Sequence, residues 1–156
     1  MHKVKKFSAN DRSVSHFCLG KKIKSFKYGF KEKKPLEVSV KITLEDGTEI
    51  LTYTLMRIIK NNGFVFSNGD YYLDNRKLTT IKNVEKQLRG SRIERVKFNK
   101  TGDCTLFLDS GEEIQIIVDL SKAETVYFRI DKAMEYYILC RIENDENLTV
   151  KENVNQ

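Results

Sequence analysis

The sequence predicts an α+β fold, rich in strand, in which two tandem related helix-plus-antiparallel-hairpin repeats form one compact domain. Three observations predict it. Residues recur at fixed offsets. Val14, Leu19, Gly20, Ile23, Phe26 and Tyr28 stand 70 positions before Val84, Arg89, Gly90, Ile93, Val96 and Phe98, and Ile42, Leu44, Gly47, Glu49 and Ile50 stand 64 positions before Leu106, Leu108, Gly111, Glu113 and Ile114. Apolar and polar residues alternate through long stretches, as in Leu36 to Leu44, which is the period-two signature of strands with one buried face. Asp46-Gly47, Asn68-Gly69 and Ser110-Gly111 separate such stretches with residue pairs that tolerate the positive φ of a hairpin turn. Two copies are too few for a solenoid, so a duplicated module closing on itself is the expectation.

The elements follow in chain order. Residues 1–9 are expected as a flexible N-terminus. The first repeat spans 10–76. It opens on a helix capped by Asn10, with Val14, Phe17 and Cys18 on one face and Gly20 as its stop. A strand carrying Phe26, Tyr28 and Phe30 on one parity, expected to face the core, leads through a loop at Lys31–Leu36 into the strand ending at Leu44. Thr48–Leu55 returns as its antiparallel partner, 56–62 is read as a helical turn, and Phe64–Phe66 pairs with Tyr71–Leu73. The second repeat, 77–143, starts with a helix capped by Thr79 or Thr80. Ile81, Val84 and Leu88 form its stripe and Gly90 its stop. Strands are expected at Cys104–Leu108, Glu113–Val118, Thr125–Ile130 and Tyr136–Ile142. Residues 144–156 lose periodicity and read as a flexible C-terminal tail.

Composition narrows the function. With 40% hydrophobic and 32% charged residues in 156, the chain has the profile of a soluble globular protein. No apolar run approaches the roughly 20 residues of a membrane span, and the N-terminus carries no signal-like apolar stretch, so a cytoplasmic protein without a membrane partner is expected. Cys18, Cys104 and Cys140 form no C-x-x-C pair and share the periodicity of apolar neighbours, so they read as buried thiols. His2 and His16 stand apart with no second ligand at metal-binding spacing, and neither a Walker-A loop, a G-x-G-x-x-G nor a G-x-S-x-G occurs. No enzyme activity and no cofactor is expected; a carboxylate pair from the equivalent positions Glu49 and Glu113 lacks any accompanying phosphate-binding or nucleophile motif.

Charge supplies the remaining signal. Net charge runs +9 over residues 1–34, −3 over 35–56, +7 over 57–100 and −7 over 101–156. Cations therefore follow the helix and first strand of each repeat. Lys22 is equivalent to Arg92 and Lys27 to Lys97, so a folded duplicate presents them in pairs. With Lys21, Lys24, Arg89 and Arg95 they form the candidate partner-binding surface. The function expected from these features is a non-enzymatic macromolecule-binding module: a small inhibitor or neutralising protein, of the immunity or phage anti-defence type, docking on a protein target. The alternative is nucleic-acid or phosphorylated-ligand binding through the same basic surface, although no RNP1, KH or helix-turn-helix signature accompanies it. A small nucleotide held between the halves is a third reading.

Overall fold

The computed structural model describes residues 2–6, 17–28, 40–52, 55–68, 80–98, 103–117, 127–129, 136–143 and 147–154. Within these the chain is mostly antiparallel sheet with one short helix, a β-rich α+β fold. The strands are β1 (His2–Lys6), β2 (Ile23–Tyr28), β3 (Val40–Leu44), β4 (Glu49–Thr52), β5 (Leu55–Lys60), β6 (Gly63–Ser67), β7 (Ile93–Phe98), β8 (Cys104–Leu108), β9 (Glu113–Ile117), β10 (Tyr127–Arg129), β11 (Tyr136–Glu143) and β12 (Asn147–Val154). The helix α1 is Ile81–Leu88.

They form three sheets, ordered β10-β4-β3-β2, β6-β5-β9-β8-β7 and β1-β12-β11. Alternation dictates the burial. Val40, Ile42 and Leu44 are buried on β3, and Cys104, Leu106 and Leu108 on β8, while the residues between them are half-buried. β2 and β7 each carry a bulge, between Ile23 and Ser25 and between Ile93 and Arg95. The extra residue resets the parity so that Ile23 and Phe26, and likewise Ile93 and Val96, all reach the core. One apolar cluster takes in both larger sheets and the helix stripe Val84 and Leu88. Phe26 of the four-stranded sheet meets Phe66 of the five-stranded sheet edge-on, with centroids 5.2 Å apart, and Tyr28 reaches the same ring at 6.2 Å.

Several segments depart from the sequence expectation. The expected single strand Thr48–Leu55 is divided between two sheets, with β4 in one and β5 in the other. Residues 56–62, expected as a helical turn, are instead most of β5 and a tight turn. Asn61 and Asn62 adopt φ of 52° and 64°, the left-handed pair that a two-residue hairpin requires, and Met56 and Ile58 alternate inward. The termini, expected as tails, form strands: β12 pairs with β1 on one side and β11 on the other. In β12, Leu148, Val150 and Val154 alternate with polar residues, a pattern diluted by the acidic residues around it. Asn68, expected at a hairpin turn, is buried, and its side-chain oxygen accepts the Met56 N–H at 3.0 Å. Asn10, Phe30, Lys31–Leu36 and Tyr71–Leu73 lie outside the described residues.

The two larger sheets meet where β2 and β7 begin. Lys22 and Arg92 form an isolated antiparallel bridge. Around it the main-chain bonds are reciprocal. Gly20 N–H donates to Ile93 O at 2.7 Å and Gly90 N–H to Ile23 O at 2.8 Å. Ile23 N–H donates to Ser91 O at 2.8 Å and Ile93 N–H to Lys21 O at 3.0 Å. Gly20 and Gly90 hold φ of 79° and 84°, the left-handed conformation that ends a helix and turns the chain into this crossing.

Candidate functional site

The eight sequence-predicted cations fall into three groups. At the crossing, Lys22 and Arg92 stand directly opposite one another, which sends both side chains to the same face. The Arg92 guanidinium donates to Gly20 O at 2.5 Å, and the Arg92 main-chain N–H donates to the Asp109 carboxylate at 2.9 Å. Beside the crossing, Lys24 and Arg89 line an open groove of about 480 Å³ together with Ile23, Ser25, Glu45 and Gly90. Arg89 reaches back to Glu85 one helical turn earlier. Lys24 is exposed there.

Lys21 is engaged within the fold. Its ammonium lies 2.6 Å from Asp46 Oδ2 and 3.3 Å from Thr48 Oγ1. Partial burial pushes the Asp46 carboxyl up, but Lys21 and the Thr48 N–H and hydroxyl outweigh it and hold it below the usual carboxylate range. Lys21 thus tethers the β3–β4 hairpin to the crossing. At the β8–β9 hairpin of the five-stranded sheet hydroxyls serve instead: Ser91 Oγ lies 2.7 Å from Ser110 Oγ, which donates to the buried Glu112, and Lys60 approaches that carboxylate at 3.6 Å.

The third group lies on the outer sheet faces. Lys27 is exposed on β2, opposite Lys41. Arg95 and Lys97 are exposed on β7, two positions apart and therefore on one face. Arg95 lies over the Phe107 ring at 4.4 Å.

This outer face also carries residues that sequence reasoning passed over. Cross-strand register aligns Phe64, Ile59, Glu113, Phe107 and Arg95 in one row across β6, β5, β9, β8 and β7. Ser67, Arg57, Gln115, Thr105 and Lys97 form the next row. Arg57 donates to Gln115 Oε1 at 2.5 Å and holds its guanidinium 6.0 Å from the Phe64 ring centre, and Gln115 in turn donates to Glu113 at 3.3 Å. Phe64 is 56% exposed. The signal for Phe107 was its odd parity between buried Leu106 and Leu108. Phe64 had none, because the bulge between Ile58 and Ile59 sets its direction. Phe26, by contrast, is core, as its parity suggested.

Cys18 and Cys104 are fully buried. Glu49 and Glu113 lie in different sheets, and among the described residues no group of three or more His, Cys, Asp or Glu side chains is placed to hold a metal ion. No helix among the described residues is long and apolar enough to cross a membrane. No protein-family model matches the chain. No curated protein and no solved structure is significantly similar to it.

Proposed function

We propose that the chain is a non-enzymatic macromolecule-binding module, built of two related halves, that takes an acidic partner by charge. The observation that carries this reading is the like-charged pair at the crossing. Directly opposed like charges destabilise a sheet. Lys22 and Arg92 nevertheless oppose each other at the point where the two halves join, and among the described residues neither side chain has a carboxylate within ion-pair distance. A ligand of opposite charge relieves that repulsion on binding, which raises both affinity and on-rate. The two-halves reading draws support from the reciprocal bonds Gly20 to Ile93 and Gly90 to Ile23, and from bulges at equivalent places in β2 and β7.

The first partner considered is an acidic protein target that the module inhibits or neutralises, in the manner of an immunity or anti-defence protein. Affinity purification from the native cell should then recover a stoichiometric protein complex. Reversal of charge at Lys22, Lys27, Arg92 and Lys97 together should abolish it; at exposed Lys27 and Lys97 the change costs within about 0.5 kcal/mol each, and circular dichroism of the variant should match the parent. Recovery of nucleic acid alone, with no protein, would overturn the protein target. A second reading, nucleic acid, is favoured by the Arg–Phe pairs on the outer face of the five-stranded sheet.

A further inference from the structure

We infer that the outer face of the five-stranded sheet binds single-stranded nucleic acid, with Phe64 and Phe107 as stacking surfaces and Arg57, Arg95 and Lys97 as the phosphate-facing cations. This rests on the reading that the module takes an acidic macromolecule, and it adds to the crossing a second anion-binding surface of defined chemistry.

Composition of the face is the first argument. A solvated sheet face is expected to be polar, yet this one presents Phe64 at 56% exposure and a half-buried Phe107. Each ring is accompanied by a guanidinium, Arg57 at 6.0 Å and Arg95 at 4.4 Å. Guanidinium planes and aromatic rings are the two side-chain surfaces on which unpaired bases stack. Arg57 sits at the outer limit of a cation–π contact and Phe64 is 56% exposed, so the ring is accessible to a base. Thr105, in the neighbouring row beside Phe107, provides a hydroxyl for a base edge, while the Gln115 amide is held by Arg57 and Glu113.

Charge is the second. Arg57, Arg95 and Lys97 stand against the single carboxylate of Glu113 in these two rows, and among the described residues no carboxylate pairs with any of the three cations. Their complement is a polyanion.

Shape is the third. Five strands spread over about 19 Å, from four spacings of about 4.8 Å. The duplex major groove is about 12 Å wide and admits a helix or a two-stranded ribbon, so this face cannot enter it. Phe64 on β6 and Phe107 on β8 are three strands apart, about 14 Å, which suits two splayed bases of one extended strand with an intervening nucleotide between them.

The test is fluorescence anisotropy of the full chain with labelled single-stranded DNA and RNA of about 16 nucleotides, the matching duplex, and poly-glutamate. Single strands should bind more tightly than duplex, with log affinity falling against log salt at a slope of about −2, from three cations at about 0.7 each. Phe64→Ala should weaken single-strand binding roughly tenfold, and Phe64→Tyr should restore it. Phe64 is exposed, so circular dichroism of both variants should match the parent. Arg95→Gln with Lys97→Gln should flatten the salt slope. If single strands bind equally well to Phe64→Ala but not to the Lys22, Arg92 charge-reversal variant, the inference is overturned while the acidic-partner reading stands. Binding of poly-glutamate without nucleic acid overturns the inference as well and favours a protein partner. If no polyanion binds, both fall.

Discussion

Cys18 sits fully buried beside the turn at Gly20, and burial pushes its thiol from 9.0 up to about 12, with Lys21 countering part of that rise. The raised value means that the folded state resists ionisation where the unfolded chain would ionise. Its stabilising contribution is therefore complete below about pH 9 and is lost as pH climbs towards 12. Unfolding midpoints in urea should fall over that window, and Cys18→Ala should flatten the fall even though it lowers stability at neutral pH by opening a small cavity. Iodoacetamide at pH 8 should leave Cys18 and Cys104 unmodified in the native protein and label both in urea, read by peptide mass. The alternation of Cys104 with Leu106 and Leu108 made its burial legible in the sequence. Lys21 was not legible in the same way. Its charge suggested a surface role, whereas its ammonium is committed to Asp46 through a contact between residues far apart in the chain.

Helix α1 illustrates what local pattern reveals and what it hides. Its stripe Ile81, Val84, Leu88, its cap and its stop were all readable, and Thr80 Oγ1 does accept the Asn83 N–H at 3.3 Å. What the helix covers was not readable. It lies against β2, and Glu85 Oε2 accepts the Phe26 N–H at 3.2 Å, so a helix side chain closes the edge of the four-stranded sheet. Glu85→Ala should leave that N–H without its partner and cost about 1–3 kcal/mol, with hydrogen exchange at Phe26 accelerating accordingly. Thr80→Ala removes only a cap and should cost about 0.5–2 kcal/mol without changing exchange at Phe26 selectively. Equal effects of the two variants on Phe26 would show that the carboxylate is not the edge's partner. The misread segment 56–62 belongs to this scale as well. Met56, Ile58 and Ile59 fit either a short helix or a strand, and the paired left-handed asparagines after Lys60 decide for the strand.

At the scale of the whole molecule, antiparallel pairing was predicted and the assembly of sheets was not. Hairpin turns specify neighbours, but nothing local told that β5 would leave β4 and join β9. Because one apolar cluster draws on both larger sheets, damage in either should be felt in both. Val40 is fully buried in the four-stranded sheet, and Val40→Asp places an unpaired charge there, which should cost more than about 3 kcal/mol. Labels at Lys27 and Lys97 should then report loss of structure at the same denaturant concentration; separate midpoints would mean that the sheets fold independently. The candidate cations were legible as residue types. Their final grouping was not, since it depends on which strand each bulge turns outward.

The crossing at Lys22 and Arg92 also dictates an order of events during synthesis. Ile23 N–H needs Ser91 O, and Gly20 N–H needs Ile93 O, so β2, although it can pair with β3 early, emerges from the ribosome some seventy residues ahead of its partners at the crossing. At about 5–20 residues per second that is several seconds with an open strand edge and an exposed apolar face. The nascent chain is thus most exposed to aggregation and to chaperone capture before residue 93 appears, and the final closure of the core waits for the second half to arrive.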